Sequence, residues 1–358
     1  MHFNGPRAMR RLMFLGGVML ILAACSSPGA TTRSGAPSAP ASTAPSAAPS
    51  AAESPAASAA ESPAASAAES PAASAGTGVD LTGATFTVGS KEFTEQLILG
   101  QITKLVLEDA GATVKDQTGL VGSKVVRAAL TSGDIDMYWE YTGTGWITHQ
   151  GNTTPVAGSQ EQFDAVKKAD EANGIVWVDP APFNNTYAIA TTNEMATELN
   201  LVTMSDLATY AGANADKATL CGAAEFLGRD DGLPGLETAY GMKFGTISEL
   251  ELGLVYTSVD KGDPCTFGEV FATDGRIAGL GLTVLDDDKS FFPSYLPSLN
   301  VRKEVFDANP KLAELFAPVA AVLDTATMTA LNAKVDVDGM QEADVAKEFL
   351  TEKGLIGG

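Results

Sequence analysis

From Thr85 to Trp139 the apolar residues switch repeatedly between strand-like and helical spacing, and this alternation limits the possible folds more than any other feature of the chain. TFTVGS (85–90) is a β-branched run. TEQLILGQITKLVLEDAG then places Leu97, Ile98, Ile102, Leu105 and Val106 at helical spacing as far as Gly111. A short strand around Val114 follows, then a helix SKVVRAALTSG closed by Gly133, then a strand IDMYW. The resulting βαβαβ order predicts a parallel sheet covered by helices, in which ligands sit beyond the carboxyl ends of the strands.

A second unit of this kind lies further on. A helix around Leu252 to Val259 ends at Gly262-Asp263 as the earlier one ends at Gly133-Asp134, and Glu269 then takes the place of Glu140. Phe271 falls close to the counterpart of Tyr141. Two α/β lobes facing each other across a cleft would bring both strand ends to one pocket.

The first 80 residues are read separately. Arg7, Arg10 and Arg11 precede an apolar run, Leu12 to Ala24, too short to span a bilayer. It ends Leu-Ala-Ala-Cys, which resembles the lipobox of bacterial lipoproteins. Residues 1–25 are therefore expected to be a signal peptide with Cys25 as the lipidated residue, and the protein extracytoplasmic and lipid-anchored to the bacterial cell membrane. Residues 26–80 are rich in Ala, Ser and Pro, with ESPAASAA recurring so that Glu53, Glu61 and Glu69 are evenly spaced. They offer too little apolar surface to offset the entropy of ordering, which predicts a disordered tether with a reach on the order of 40 Å.

The formal charge of −21 argues against nucleic acid or an anionic membrane surface as a partner. Signatures of catalysis are scarce. Beyond the signal segment there is one histidine, His149, read as a surface residue, and no nucleophile elbow, P-loop or dinucleotide fingerprint is complete. Asp286-Asp287-Asp288 reads as a solvated turn rather than a calcium site. No enzyme activity, cofactor or metal is expected.

What remains is aromatic. YWEYTGTGW (138–146) holds four of the chain's ten Tyr and Trp residues, and Tyr187, Phe271 and Tyr295 also stand at strand edges or in turns. A ring of aromatic faces suits a quaternary ammonium, which has no N–H to donate and is drawn to the negative face of each ring.

Taken in order, VGSKEFTEQLILGQ, GDIDMYWEYTGT, FNNTYAIA, EFLGRDDGLPGLETAYG, EVFATDGRI and VLDDDKSFFPSYLPSLNVR resemble the substrate-binding proteins of osmoprotectant ABC importers, which take up glycine betaine, choline, carnitine or proline betaine. The resemblance covers the chain from about Leu81 onward. It implies a two-lobed periplasmic-binding-protein-like fold with a ligand cleft between the lobes and two chain crossovers, with 81–187 and 289–358 as one lobe and 188–288 as the other. The family's aromatic cage falls on Tyr141, Tyr187, Phe271 and Tyr295. Residues that line the pocket or hold the ligand's carboxylate fall on Lys91, Thr144 and Arg229, with Asn185 and Glu225 adjacent. Phe271 stands where many relatives carry tyrosine. The partners implied are a quaternary ammonium ligand and the permease subunits of an ABC transporter, with the protein acting as a monomer. An amino acid, ectoine or another polar solute is the alternative ligand, and a sensory ectodomain the alternative role.

Cys221 and Cys265 remain once Cys25 is assigned to lipid. Such a pair is either a disulfide or two buried thiols. Both precede or open expected strands of the second lobe, and a disulfide between them is the expectation.

Overall fold

The computed structural model describes residues 78–357, so the signal segment, Cys25 and nearly all of the tether lie outside the described residues. The chain divides into Met1–Ala68 and Glu69–Gly358, and everything below belongs to the second unit. Four strands open the first sheet: β1 (Thr85–Lys91), β2 (Thr113–Leu120), β3 (Met137–Tyr141) and β4 (Ile175–Trp177). The chain then passes to a second sheet of β5 (Tyr187–Thr192), β6 (Thr219–Gly222), β7 (Thr246–Glu249), β8 (Phe267–Phe271) and β9 (Leu282–Val284). It returns to the first with β10 (Pro297–Arg302). Tyr187 thus opens a strand of the second sheet, where the sequence-based division had left it in the first lobe.

The strand orders are β2-β1-β3-β10-β4 and β7-β6-β8-β5-β9. These are the same arrangement built twice. In each, a parallel trio (β2, β1, β3 or β7, β6, β8) is joined by the strand that arrives from the other lobe, and that strand runs antiparallel. The wholly parallel sheet expected from the alternation is therefore corrected to a mixed one. The reason lies in the connections: a strand following a crossover helix must return parallel, whereas β5 and β10 come from across the cleft and are free to enter reversed.

The helices match their sequence signals. Helix α1 (Thr94–Asp109) buries Ile98, Leu99, Ile102 and Val106 against Phe86, Val88, Met137 and Trp139 on one face of the first sheet. Three C-terminal helices add Phe316, Leu331 and Phe349 to the same core. Helix α2 (Ser123–Ser132) covers the opposite face with Val126 and Leu130, beside Tyr138 and Trp177. Alternation along β3 sends Trp139 to one core and Tyr138 to the other, so the first half of YWEYTGTGW is packing. The buried Trp139 indole is satisfied by donating to Thr103 Oγ1 at 2.9 Å.

The proposed equivalence of the two Gly-Asp corners is visible in the backbone. Gly133 and Gly262 each terminate a helix in the left-handed region, at φ 84° and 65°, and each is followed by the central strand of its sheet, β3 or β8. Glu140 is the fourth residue of β3 and Glu269 the third of β8.

Cys221 on β6 and Cys265, just before β8, are joined in a disulfide with Cα atoms 5.6 Å apart, buried with Val255, Tyr256 and Val270. The bond spans 44 residues of sequence and ties together two neighbouring strands of the second sheet. Reduction, or Cys221→Ala with Cys265→Ala, is expected to lower the unfolding free energy by about 2–4 kcal/mol, measured as a shifted urea midpoint. Two alkylatable thiols in the unreduced protein would contradict the bond.

Candidate functional site

The carboxyl ends of β1, β3, β6 and β8 converge on a cavity of about 750 Å3 between the sheets. Lys91, Tyr141, Thr144, Asn185, Tyr187, Glu225, Arg229, Phe271 and Tyr295 all line it. Segments as distant as β1 and the return crossover thus meet in one place.

Five aromatic rings form its apolar wall. Tyr187 stands 5.1 Å from Phe271 and 5.6 Å, edge-on, from Tyr295. Phe93 bridges the gap to the first lobe, 4.9 Å from Phe271 and 6.2 Å from Tyr141. Phe93 was not singled out from the sequence. Its signal is the position: it immediately precedes α1, where a polar cap is usual, and makes no capping hydrogen bond. Gly143 has a specific reason to be glycine. A Cβ there would lie 2.6 Å from Cε1 of Tyr295, so any side chain would displace that ring.

The hydroxyls of two of the tyrosines are anchored on carboxylates. Tyr141 donates to Glu95 Oε1 at 2.8 Å, and Tyr295 donates to Asp231 Oδ2 at 2.6 Å. Burial lifts the phenols of Tyr141, Tyr187 and Tyr295 well above their usual range, so all three stay neutral.

Charge is distributed unevenly. Lys91 Nζ is 2.7 Å from Glu140 Oε1 and 5.0 Å from the centre of the Tyr141 ring. Glu140 also receives Tyr138 Oη and lies 2.8 Å from His149 Nε2. His149 is therefore corrected from a surface residue to a partner of a buried carboxylate, its side chain only 3% exposed. Burial alone would raise Glu140, but the Lys91 charge and His149 outweigh it and hold the carboxyl below its usual range.

On the other lobe, Arg229 chelates Asp231 through Nε at 2.7 Å and Nη2 at 2.5 Å. It also donates to Glu225 at 2.7 Å and, at longer range, to Thr144 Oγ1 of the first lobe. Glu225 crosses the cleft as well, accepting from the Ser123 backbone N–H at 2.9 Å and hydroxyl at 2.6 Å at the start of α2. Burial pushes Glu225 up, yet Lys91, Arg229 and Ser123 together hold it at about 2.

Glu269 differs from its counterpart Glu140. Glu140 has Lys91 beside it, whereas the Glu269 carboxylate lies over Gly222, which has no side chain to offer. Among the described residues Glu269 accepts one hydrogen bond, from the Ala223 N–H at 2.7 Å. Burial, with Glu225 nearby, pushes it up to about 8. Around the cavity four glutamates (92, 225, 249, 251), besides the mainly protonated Glu269, face three cations (Lys91, Lys124, Arg229), a balance that suits a cationic guest.

The Asp286–Asp288 run is also more than a solvated turn. Asp287 accepts from Tyr240 Oη and the Phe292 N–H, and Asp288 accepts from the Ser205 N–H and hydroxyl. It fixes the start of the return crossover that carries Tyr295. Among the described residues no cluster of metal-ligand type occurs.

The family profile described as "Substrate binding domain of ABC-type glycine betaine transport system" matches residues 84–352. The chain belongs to this family. It is 40% identical over 279 residues to a glycine-betaine-binding protein of Pseudomonas aeruginosa, across 76% of this chain and 89% of that protein. It is 35% identical to the "Ergothioneine transport permease/ergothioneine binding protein EgtU" of Helicobacter pylori, across 75% of this chain and 47% of that protein. Among solved structures, apo YehZ from Escherichia coli superposes with a TM-score of 0.58 at 35% identity, over 76% of this chain and 99% of that one.

The Glu269 carboxyl gives the site a pH signature. Its native value near 8 lies above the ordinary 4.5, so its stabilising contribution is complete below about pH 4.5 and is lost as pH rises through about 8. The unliganded protein is expected to lose stability between about pH 5 and pH 8, by at most about 1.4 kcal/mol per pH unit. Glu269→Gln should flatten that slope in urea titrations at several pH values, and an unchanged slope would remove the assignment.

Proposed function

We propose that this protein captures a quaternary ammonium osmolyte outside the cell membrane and delivers it to the permease of an ABC importer. One observation carries the reading: five rings from both lobes and the return crossover converge on a single cavity whose lining holds more carboxyl groups than cations. Membership of the glycine betaine family and the ligands for which its relatives are named support it. A trimethylammonium group needs apolar faces of negative potential and no hydrogen-bond acceptor, and that is what Phe93, Tyr141, Tyr187, Phe271 and Tyr295 provide. Lys91, Thr144, Asn185, Glu225 and Arg229 are the polar contacts available to the rest of the ligand. The protein works as a monomer and without catalysis in this reading, since binding and release are all that delivery requires.

Each ring facing a desolvated cation contributes about 0.5–2 kcal/mol. Tyr187→Ala and Tyr295→Ala are each expected to weaken glycine betaine or choline binding by roughly threefold to thirtyfold in calorimetric titration. The panel should include carnitine and ergothioneine. Folded alanine variants that bind normally would leave an ordinary apolar pocket in place of a cage.

The anchor belongs to the same proposal. Cys25 carries lipid and residues 26–80 give the folded part its reach, so a Cys25→Ala variant should lose palmitate labelling and partition away from membranes. A soluble form beginning at Val79 should keep the affinity of the full chain. A tenfold loss on truncation would show that the segment contributes to the site.

A further inference from the structure

Glu95 sits on α1 at the hydroxyl end of Tyr141 and is 2% exposed. Four groups converge on its carboxylate. Oε1 accepts from Tyr141 Oη and from Asn185 Nδ2, each at 2.8 Å, while Oε2 accepts from the Thr273 hydroxyl and from Asn332 Nδ2 at 3.2 Å. All four are neutral. No salt bridge to Glu95 exists among the described residues, whereas Glu140 has Lys91 and Asp231 has Arg229. The nearest charged groups across the adjoining small cavity, Asp274, Arg276 and Asp336, are occupied with one another.

Two features follow from this arrangement. Burial raises the Glu95 carboxyl above its ordinary range, but donors on both oxygens oppose this by favouring the ionised form. A phenol that donates to a carboxylate also carries more negative charge on its ring than a free phenol, and its ring is fixed in orientation.

The geometry points to Glu95 as a specificity-determining positioning residue: its uncompensated carboxylate, acting through the Tyr141 hydroxyl, makes the cage prefer a cationic guest over a neutral one of the same shape. This rests on the reading of the cavity as a quaternary ammonium cage and adds the source of its charge selectivity. The bound cation is the counterion that Glu95 lacks within the protein.

Glu95 also joins the lobes, because Thr273 follows β8 while α1 belongs to the first lobe. The test must therefore separate charge from closure. Glycine betaine and tert-butylacetate, in which carbon replaces the nitrogen, differ only in that charge. Both should be titrated against the wild type, Glu95→Gln, Glu95→Asp and Tyr141→Phe.

The wild type should prefer glycine betaine. Glu95→Gln should lose tenfold or more for glycine betaine and little for tert-butylacetate, since one charge within about 10 Å at an effective dielectric constant near 20 is worth more than a tenfold change in affinity. Glu95→Asp should retain the preference even if both affinities fall. Tyr141→Phe keeps the ring but cuts the link, so it should reduce the preference severalfold and carries the test alone if Glu95→Gln does not fold.

Proportional losses for both ligands would reduce Glu95 to a structural tie between the lobes and overturn the inference while leaving the cage intact. Equal binding of the two probes by the wild type would instead overturn the cage reading, and this inference with it.

Discussion

The cleft is organised by how each buried carboxylate is neutralised. An unpaired ionised group inside a protein costs several kcal/mol, so its partners dictate what else can occupy the space. The two lobes answer this constraint differently at equivalent positions. At the end of β3, Glu140 is closed off by Lys91, His149 and Tyr138, which makes the first lobe's strand end a fixed ion pair. On β8 the Glu269 carboxylate lies over Gly222 with no cation paired to it among the described residues, and its carboxyl titrates near neutral pH. A duplicated architecture thus supplies one rigid wall and one adjustable wall to the same cavity.

Much of this was legible in the sequence because it rests on local pattern. Strand and helix alternation gave the two α/β lobes, and the Gly-Asp corners at Gly133 and Gly262 gave their internal equivalence. The motifs around Tyr141, Tyr187, Arg229, Phe271 and Tyr295 led to residues that line one cavity. What was not legible depends on partners distant in the chain. The direction of β5 and β10 is set by crossing between lobes, and hydrophobic spacing carries no record of strand direction. His149 looked exposed because its neighbours Thr148, Gln150 and Gly151 are polar, yet its acceptor lies back on β3. Phe93 and Glu95 looked like the ordinary start of a helix. Only the fold reveals that one ring lines the cavity beside Phe271 and that the carboxylate meets Asn185, Thr273 and Asn332.

The lobes are held together on both flanks of the cavity by polar contacts. On one side Glu225 accepts from Ser123, and on the other Asn332 Nδ2 donates to the Thr273 carbonyl at 2.9 Å while Arg276 pairs with Asp336. Contacts of this kind exchange readily with water hydrogen bonds, which gives each a modest net worth and allows a cleft to open and close without unfolding either core. The core around Trp139 and Phe316 belongs to the first lobe, whereas the cluster of Leu220 and Phe267 in the second takes in Tyr141 and Phe93 at the cleft, so the apolar contact between the lobes is confined to the cavity wall.

Arg229 shows how ligand and closure share the same groups. A guanidinium has five N–H donors, and here they are directed at Asp231 twice, at Glu225, and at Thr144 from both Nη atoms. None is idle. A ligand carboxylate reaching Arg229 must therefore displace one of these acceptors. The chelating Asp231 is buried and also holds Tyr295, so its removal would disturb the aromatic wall of the cavity. Thr144 accepts at 3.3 to 3.4 Å, too long to resist a charged competitor, and it stands at the end of the EYTGT stretch on the opposite lobe. A carboxylate inserted there would replace a weak contact between the lobes with a charge-assisted one. A guest with a hydroxyl in place of the carboxylate would lack that gain, so in the proposed reading Arg229 and Thr144 discriminate at the ligand's polar end while the rings discriminate at its cationic end.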